Sequence, residues 1–195
     1  MDKDRRKFLE KAFKIGGISA LFSLGISPAK ASMIIQKFSN DGGDTTEILR
    51  PDGDTLTTNW AASSAGFYQD VSDESNSTYI YTSFQNQKII LTCADTSASA
   101  GKTITNVTIK AIIRDTAGST VPDFYLNVGG TVYQYAMSGI SGTFTEYTHS
   151  LDNSPKTGTA WTSTEINGTF VGMETANATN TTELAELWIV VTYVP

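Results

Sequence analysis

The apolar positions of this chain fall mostly in short alternating runs, the spacing of strands rather than of helices. The clearest run lies between Asn106 and Arg114, where Val107, Ile109, Ala111 and Ile113 alternate with Thr108, Lys110, Ile112 and Arg114. A period of two puts the first set on one face and the mostly polar set on the other, so this segment predicts a strand with one buried side. Phe124–Val128 and Thr131–Tyr135 flank Gly129-Gly130 and predict a hairpin, because a two-residue turn needs positive φ and glycine supplies it. Further strands are predicted at Met33–Phe38, Thr46–Leu49, Tyr79–Thr82, Lys88–Cys93, Thr143–His149, Thr169–Thr175 and Leu184–Val194, with turn residues between them. One helical turn is predicted, since Thr162-Ser163-Thr164-Glu165 has the form of a capping box and Asn167-Gly168 would end it. About nine strands spaced by turn signals define an all-β fold, an antiparallel two-sheet β-sandwich.

The first residues break this pattern. Arg5-Arg6-Lys7-Phe8-Leu9 precedes a moderately apolar run from Ile15 to Ile26, which ends near Ala29-Lys30-Ala31. The order resembles a twin-arginine export signal, whose consensus is Arg-Arg-x-Phe-Leu-Lys; Glu10 stands where that family has lysine, and Lys11 follows it. The resemblance rests on Arg5, Arg6, Phe8 and Leu9. It implies a twin-arginine translocase as partner, a cut after Ala31, and a mature protein in the periplasm, at the cell surface or outside the cell. The apolar run is shorter than the roughly 18 residues of a spanning helix, and Trp188–Val194 is shorter still, so no stable membrane anchor is expected after cleavage.

The chain then divides into a signal peptide at 1–31, an N-terminal strand with a flexible linker at 32–43, and a sandwich domain at 44–195. The short strand can pair with its own sheet or add to the edge of a second subunit and build a filament.

Separating the signal changes the charge. The chain has 195 residues and a net charge of −6, but residues 1–31 hold seven basic and three acidic side chains, so the rest carries seven basic, seventeen acidic and a net −10. Such a domain lacks the basic stripe that neutralises phosphates, which argues against nucleic acid as a partner. A hydrophobic content of 39% is enough for a core and excludes a disordered chain. One histidine and one cysteine, Cys93, exclude a zinc site built from those ligands and a disulfide scaffold. No redox-cofactor motif is present, so none is expected.

A second resemblance emerges from the order Leu49-Arg50-Pro51-Asp52-Gly53-Asp54, Trp60, Tyr79-Ile80, the Ile104–Arg114 strand, Leu126-Asn127-Val128-Gly129-Gly130, and Ala160-Trp161-Thr162 to Ile166-Asn167. It resembles a jelly-roll module that recurs in bacterial and phage surface proteins, and would cover about residues 45–195. The resemblance implies a jelly-roll sandwich and no particular activity, because one sandwich serves many functions.

Three kinds of chemistry are candidates. His149 shares a predicted strand face with Thr145 and Tyr147, but no nucleophile motif accompanies it, so no catalytic residue is assigned. Asp41 with Asp44, Asp52 with Asp54, and Asp70 with Asp73 and Glu74 are close acidic groups in predicted loops, and calcium takes several such oxygens at once. Asp52, Asp54 and Asp73 are the first ligands to test, although solvated loop acids would look the same. Sugar recognition needs exposed aromatic faces, and Tyr79 with Tyr81, and Tyr133 with Tyr135, each pair up on one strand face. The competing reading is that such rings fill the core, as expected for Trp161 and Trp188 within their apolar surroundings.

The expectation is therefore an exported, non-enzymatic surface or extracellular protein that acts by binding or self-assembly. The alternative is a carbohydrate-binding module for a surface glycan, with calcium as a possible stabiliser; a small hydrolase is the third reading.

Overall fold

The computed structural model describes residues 38–39, 44–64, 66–97, 102–116, 122–175 and 181–194. The signal residues Arg5, Arg6, Phe8 and Leu9, the cut after Ala31, most of the predicted Met33–Phe38 strand and linker residues 40–43 lie outside the described residues.

Among the described residues twelve strands and two short helices follow one another: β1 (Phe38–Ser39), β2 (Thr45–Leu49), β3 (Pro51–Leu56), β4 (Ala61–Ala62), α1 (Phe67–Asp70), β5 (Ile80–Thr82), β6 (Lys88–Cys93), β7 (Thr103–Asp115), β8 (Pro122–Val128), β9 (Thr131–Ala136), β10 (Thr145–Leu151), α2 (Ser163–Asn167), β11 (Thr169–Thr175) and β12 (Thr182–Val194). They form two antiparallel sheets, one of seven strands and one of five. In the larger sheet β7 lies between β10 and β12; the far side of β12 is shared by β2, with β1 beyond it, and by β5, with β4 beyond it. The smaller sheet has the order β3-β6-β11-β8-β9. The chain passes repeatedly from one sheet to the other, as at Arg50 between β2 and β3, which gives the all-β sandwich of jelly-roll type that the sequence predicts.

The alternation on β7 holds: Val107, Ile109, Ala111 and Ile113 are fully buried. They meet Leu187, Ile189 and Val191 of β12 on their own sheet, and Leu126, Val171, Met173, Ile89 and Leu91 fill the core from the opposite one. Full burial of one such aliphatic side chain contributes ~1.5–3 kcal/mol. The Gly129-Gly130 hairpin forms as predicted, with φ of 54° and 88° and Val128 facing Thr131. So does the capping box: Thr162 and Glu165 each accept a hydrogen bond from the other's backbone N–H at the start of α2.

Strands β3 and β4 exceed the predicted set. Pro51-Asp52-Gly53-Asp54 reads as a turn, yet it pairs with β6 as an outer strand with two register shifts. Proline is tolerated there because it opens the strand, at the edge of the sheet. Earlier in the chain, Phe38 and Ser39 pair with Thr46 and Thr45 of the same chain. Among the described residues no helix is long and apolar enough to cross a membrane.

Candidate functional site

The outer face of the seven-stranded sheet gathers aromatic and charged side chains on one row of the ladder. Tyr81 of β5 faces Glu183 of β12, and Glu183 faces Arg114 of β7. Arg114 donates from Nε and Nη2 to one oxygen of Glu183, both at 2.6 Å. Its guanidinium lies 4.4 Å from the ring centre of Phe144, which immediately precedes β10, and 6.0 Å from that of Tyr79. Tyr79 closes the cluster, with its ring centre 6.1 Å from Tyr81 and 6.0 Å from Phe144. Tyr81 is 38% exposed, so its ring is open to solvent.

Local bonding fixes the two loops that present these rings. Buried Asp70 accepts from the Ser63 hydroxyl (3.2 Å), the Ser64 N–H (2.8 Å) and the Ser64 hydroxyl (2.6 Å). Ser63 in turn receives the Tyr79 N–H on its hydroxyl (2.8 Å) and donates its own N–H to the Tyr79 carbonyl (2.9 Å). Asp73 accepts from the Ser75 N–H (3.0 Å) and the Thr78 hydroxyl and shapes the turn before Tyr79. On the other side the Tyr147 hydroxyl accepts from the Ser141 N–H and donates to the Gly139 carbonyl, tying down the loop that carries Phe144.

Further along the same face Trp188 lies opposite Lys110 on β7, with Arg50 and Lys110 at 5.7 and 6.0 Å from its ring. Arg50 pairs with Glu186 (3.1 Å) and Glu74 (3.2 Å), and Lys110 with Glu146 (2.8 Å). Trp161 and Trp60 belong to the core cluster, as expected for Trp161; Trp188 is nearly as buried, at 7%, but on the outer face beneath these cations.

The four tyrosines singled out by sequence separate. Tyr79 and Tyr81 are the outer-face pair just described. Tyr133 and Tyr135 point inward from β9 and pack half-buried against the core. There Tyr135 stacks on His149 of β10, ring centres 3.9 Å apart at 22°, where the outer strands of the two sheets face each other. Burial lowers the affinity of His149 for a proton, and burial followed by Tyr133 raises the pKa of Tyr135.

The three acids named for calcium are held apart by separate partners. Asp52 accepts from the Thr92 hydroxyl (2.7 Å), Asp54 from the Tyr68 N–H (2.9 Å), and Asp73 within its own turn. Among the described residues no three histidine, cysteine or acidic side chains gather as a metal-binding group. The Cys93 thiol is pushed far up by burial and, secondarily, by Asp52.

Phe144, Arg114 and Glu183 are the members of the cluster that sequence reasoning did not assign. Phe144 carries a usable signal, since alternation from Thr145, Tyr147 and His149 places it on the polar side of its strand.

Among known proteins, no family model and no curated sequence matches this chain. Solved structures of similar outline include the CBM22-1 xylan-binding domain of Xyn10C from Paenibacillus barcinonensis, at 10% identity and a TM-score of 0.41, covering 73% of this chain and 87% of that one. CBM35 of Abf62 from Cellvibrio japonicus follows at 12% identity and a TM-score of 0.39, covering 75% and 91%. A CBM35 from Paenibacillus barcinonensis has 15% identity and a TM-score of 0.38, covering 75% and 96%. Likeness at this level is one of outline.

Proposed function

We propose that this protein is an exported, non-catalytic module that binds carbohydrate through the outer face of its seven-stranded sheet. The observation that carries the reading is the convergence of Tyr79, Tyr81 and Phe144 beside the Arg114–Glu183 pair. A sugar offers an apolar face of C–H bonds and a rim of hydroxyls. Exposed rings stack on the first, while a guanidinium and a carboxylate bond the second. Tyr81→Ala removes an exposed ring and leaves the core untouched, so its expected effect is a loss of about tenfold or more in glycan affinity, ~1.4 kcal/mol. Val132→Ala, at an exposed position on the five-stranded sheet, serves as the control. Equal affinity of wild type and Tyr81→Ala on a glycan array would sink the reading.

Self-assembly is the second reading, and β9 favours it. This outer strand, Thr-Val-Tyr-Gln-Tyr-Ala, holds unbroken register with β8 and carries no charge, proline or bulge, the devices that usually keep an edge from pairing with another copy. Val132 on it is exposed. Sedimentation of the full chain should then show a species larger than the monomer that Val132→Lys dissolves; a monomer at all concentrations removes this reading.

A further inference from the structure

The shape and charge of the outer face narrow the class of ligand it would take. Tyr79 is inclined at 61° to Tyr81 and at 49° to Phe144. No single plane can lie flat on rings set at such angles. An ordered polymer surface offers its C–H faces in one plane and would stack on one ring at most. Two rings at 61° with centres 6.1 Å apart form a corner instead, which takes one saccharide unit against a floor and a wall.

The charges on this face are already matched. Arg114 is spent on Glu183, Lys110 on Glu146, and Arg50 on Glu186 and Glu74, so four carboxylates stand among three cations. An anionic ligand would bring a further negative charge beside four carboxylates that already match these three cations, and would approach a domain of net charge −10. Neutral hydroxyls face no such cost. They can accept from Arg114 Nη1 and donate to Glu183 Oε1, the atoms left outside that pair.

We infer that the ligand is a soluble, uncharged saccharide chain or chain end, recognised in the corner between Tyr81 and Tyr79 beside Arg114 and Glu183; this rests on the carbohydrate reading of the same face. The full chain and its Tyr81→Ala variant are applied to an array of neutral, uronic and sulfated glycans, and are pelleted with microcrystalline cellulose and with chitin. The expected result is binding to neutral glycans only. It is lost in Tyr81→Ala, shifts less than about twofold between low and physiological salt because no net charge is exchanged, and leaves no protein in the crystalline pellets.

Preference for uronic or sulfated glycans, or pelleting with a crystalline polymer, each abolished by Tyr81→Ala, would overturn this inference and leave the carbohydrate reading standing. Binding to nothing on the array or in the pellets, or binding that survives Tyr81→Ala, would overturn both.

Discussion

Tyr135 and Tyr81 have the same side chain and both belong to strand segments, but their surroundings give them different work. The Tyr135 ring stacks on His149 and helps close the open side of the sandwich, while the Tyr81 ring stands on an outer face. His149 is held there in a site that disfavours its charged form, because burial removes part of its hydration. Its pKa in the folded chain is therefore below the unfolded value, and the unfolded chain binds the extra proton. The stability this site provides is complete above the ordinary histidine range and is lost as pH falls through that range toward the lower folded pKa. Chemical denaturation of wild type between pH 7.5 and pH 5 should show the loss, and His149→Gln should flatten it. An identical pH profile in the two proteins would show that the stacked imidazole does not couple folding to protons.

At the scale of elements, the irregular positions matter most. On β12 the register with β7 slips between Leu184, opposite Ile113, and Glu186, opposite Ile112, so Ala185 is a bulge. Strict alternation from Leu187, Ile189 and Val191 would turn Glu183 inward; the bulge turns it outward to meet Arg114. That explains why the buried face of β7 could be read from the chain while the Glu183–Arg114 pair could not. Period-two patterning shows which residues share a face until a bulge inverts it, and does not say which face is open. The same limit applied to Tyr133 and Tyr135, whose shared face was legible but whose inward direction depends on how β9 closes the sheet. Strand β3 was lost to its turn-like Pro-Asp-Gly-Asp, whose pairing comes from β6 rather than from local preference.

Gly172 on β11 is a further irregular position. A Cβ there would lie 1.9 Å from the Ile89 carbonyl oxygen of the adjacent strand, which no rotamer change can relieve. Gly172→Ala should therefore shift the β6–β11 backbone and destabilise the fold by ~1–3 kcal/mol or more, read as a lower denaturation midpoint at unchanged slope. A midpoint equal to wild type would mean that the two strands can part at that point without cost.

For the whole molecule, the dominant electrostatic fact is seventeen acidic against seven basic side chains after residue 31. The described ion pairs engage Arg50, Lys88, Lys110 and Arg114, leaving most of the acids to repel one another. Salt weakens both effects, since the Debye length falls from about 30 Å at 0.01 M to about 8 Å at 0.15 M. The Arg50–Glu186 and Arg114–Glu183 pairs have buried carboxylates and are screened little, and the more exposed Lys110–Glu146 pair contributes only ~0–1 kcal/mol, so relief of repulsion among the surplus acids should win and the melting temperature should rise over this range. Comparing NaCl with CaCl2 at equal ionic strength then separates general screening from a specific site. Asp52, Asp54 and Asp73 already bond Thr92, Tyr68 and the turn of Ser75, so the two salts should raise the melting temperature equally and a chelator should change nothing. An extra rise with CaCl2, removed by chelator, would mean that these loops rearrange to bring their carboxylates onto one cation, and would return calcium to the account of how the domain is held together.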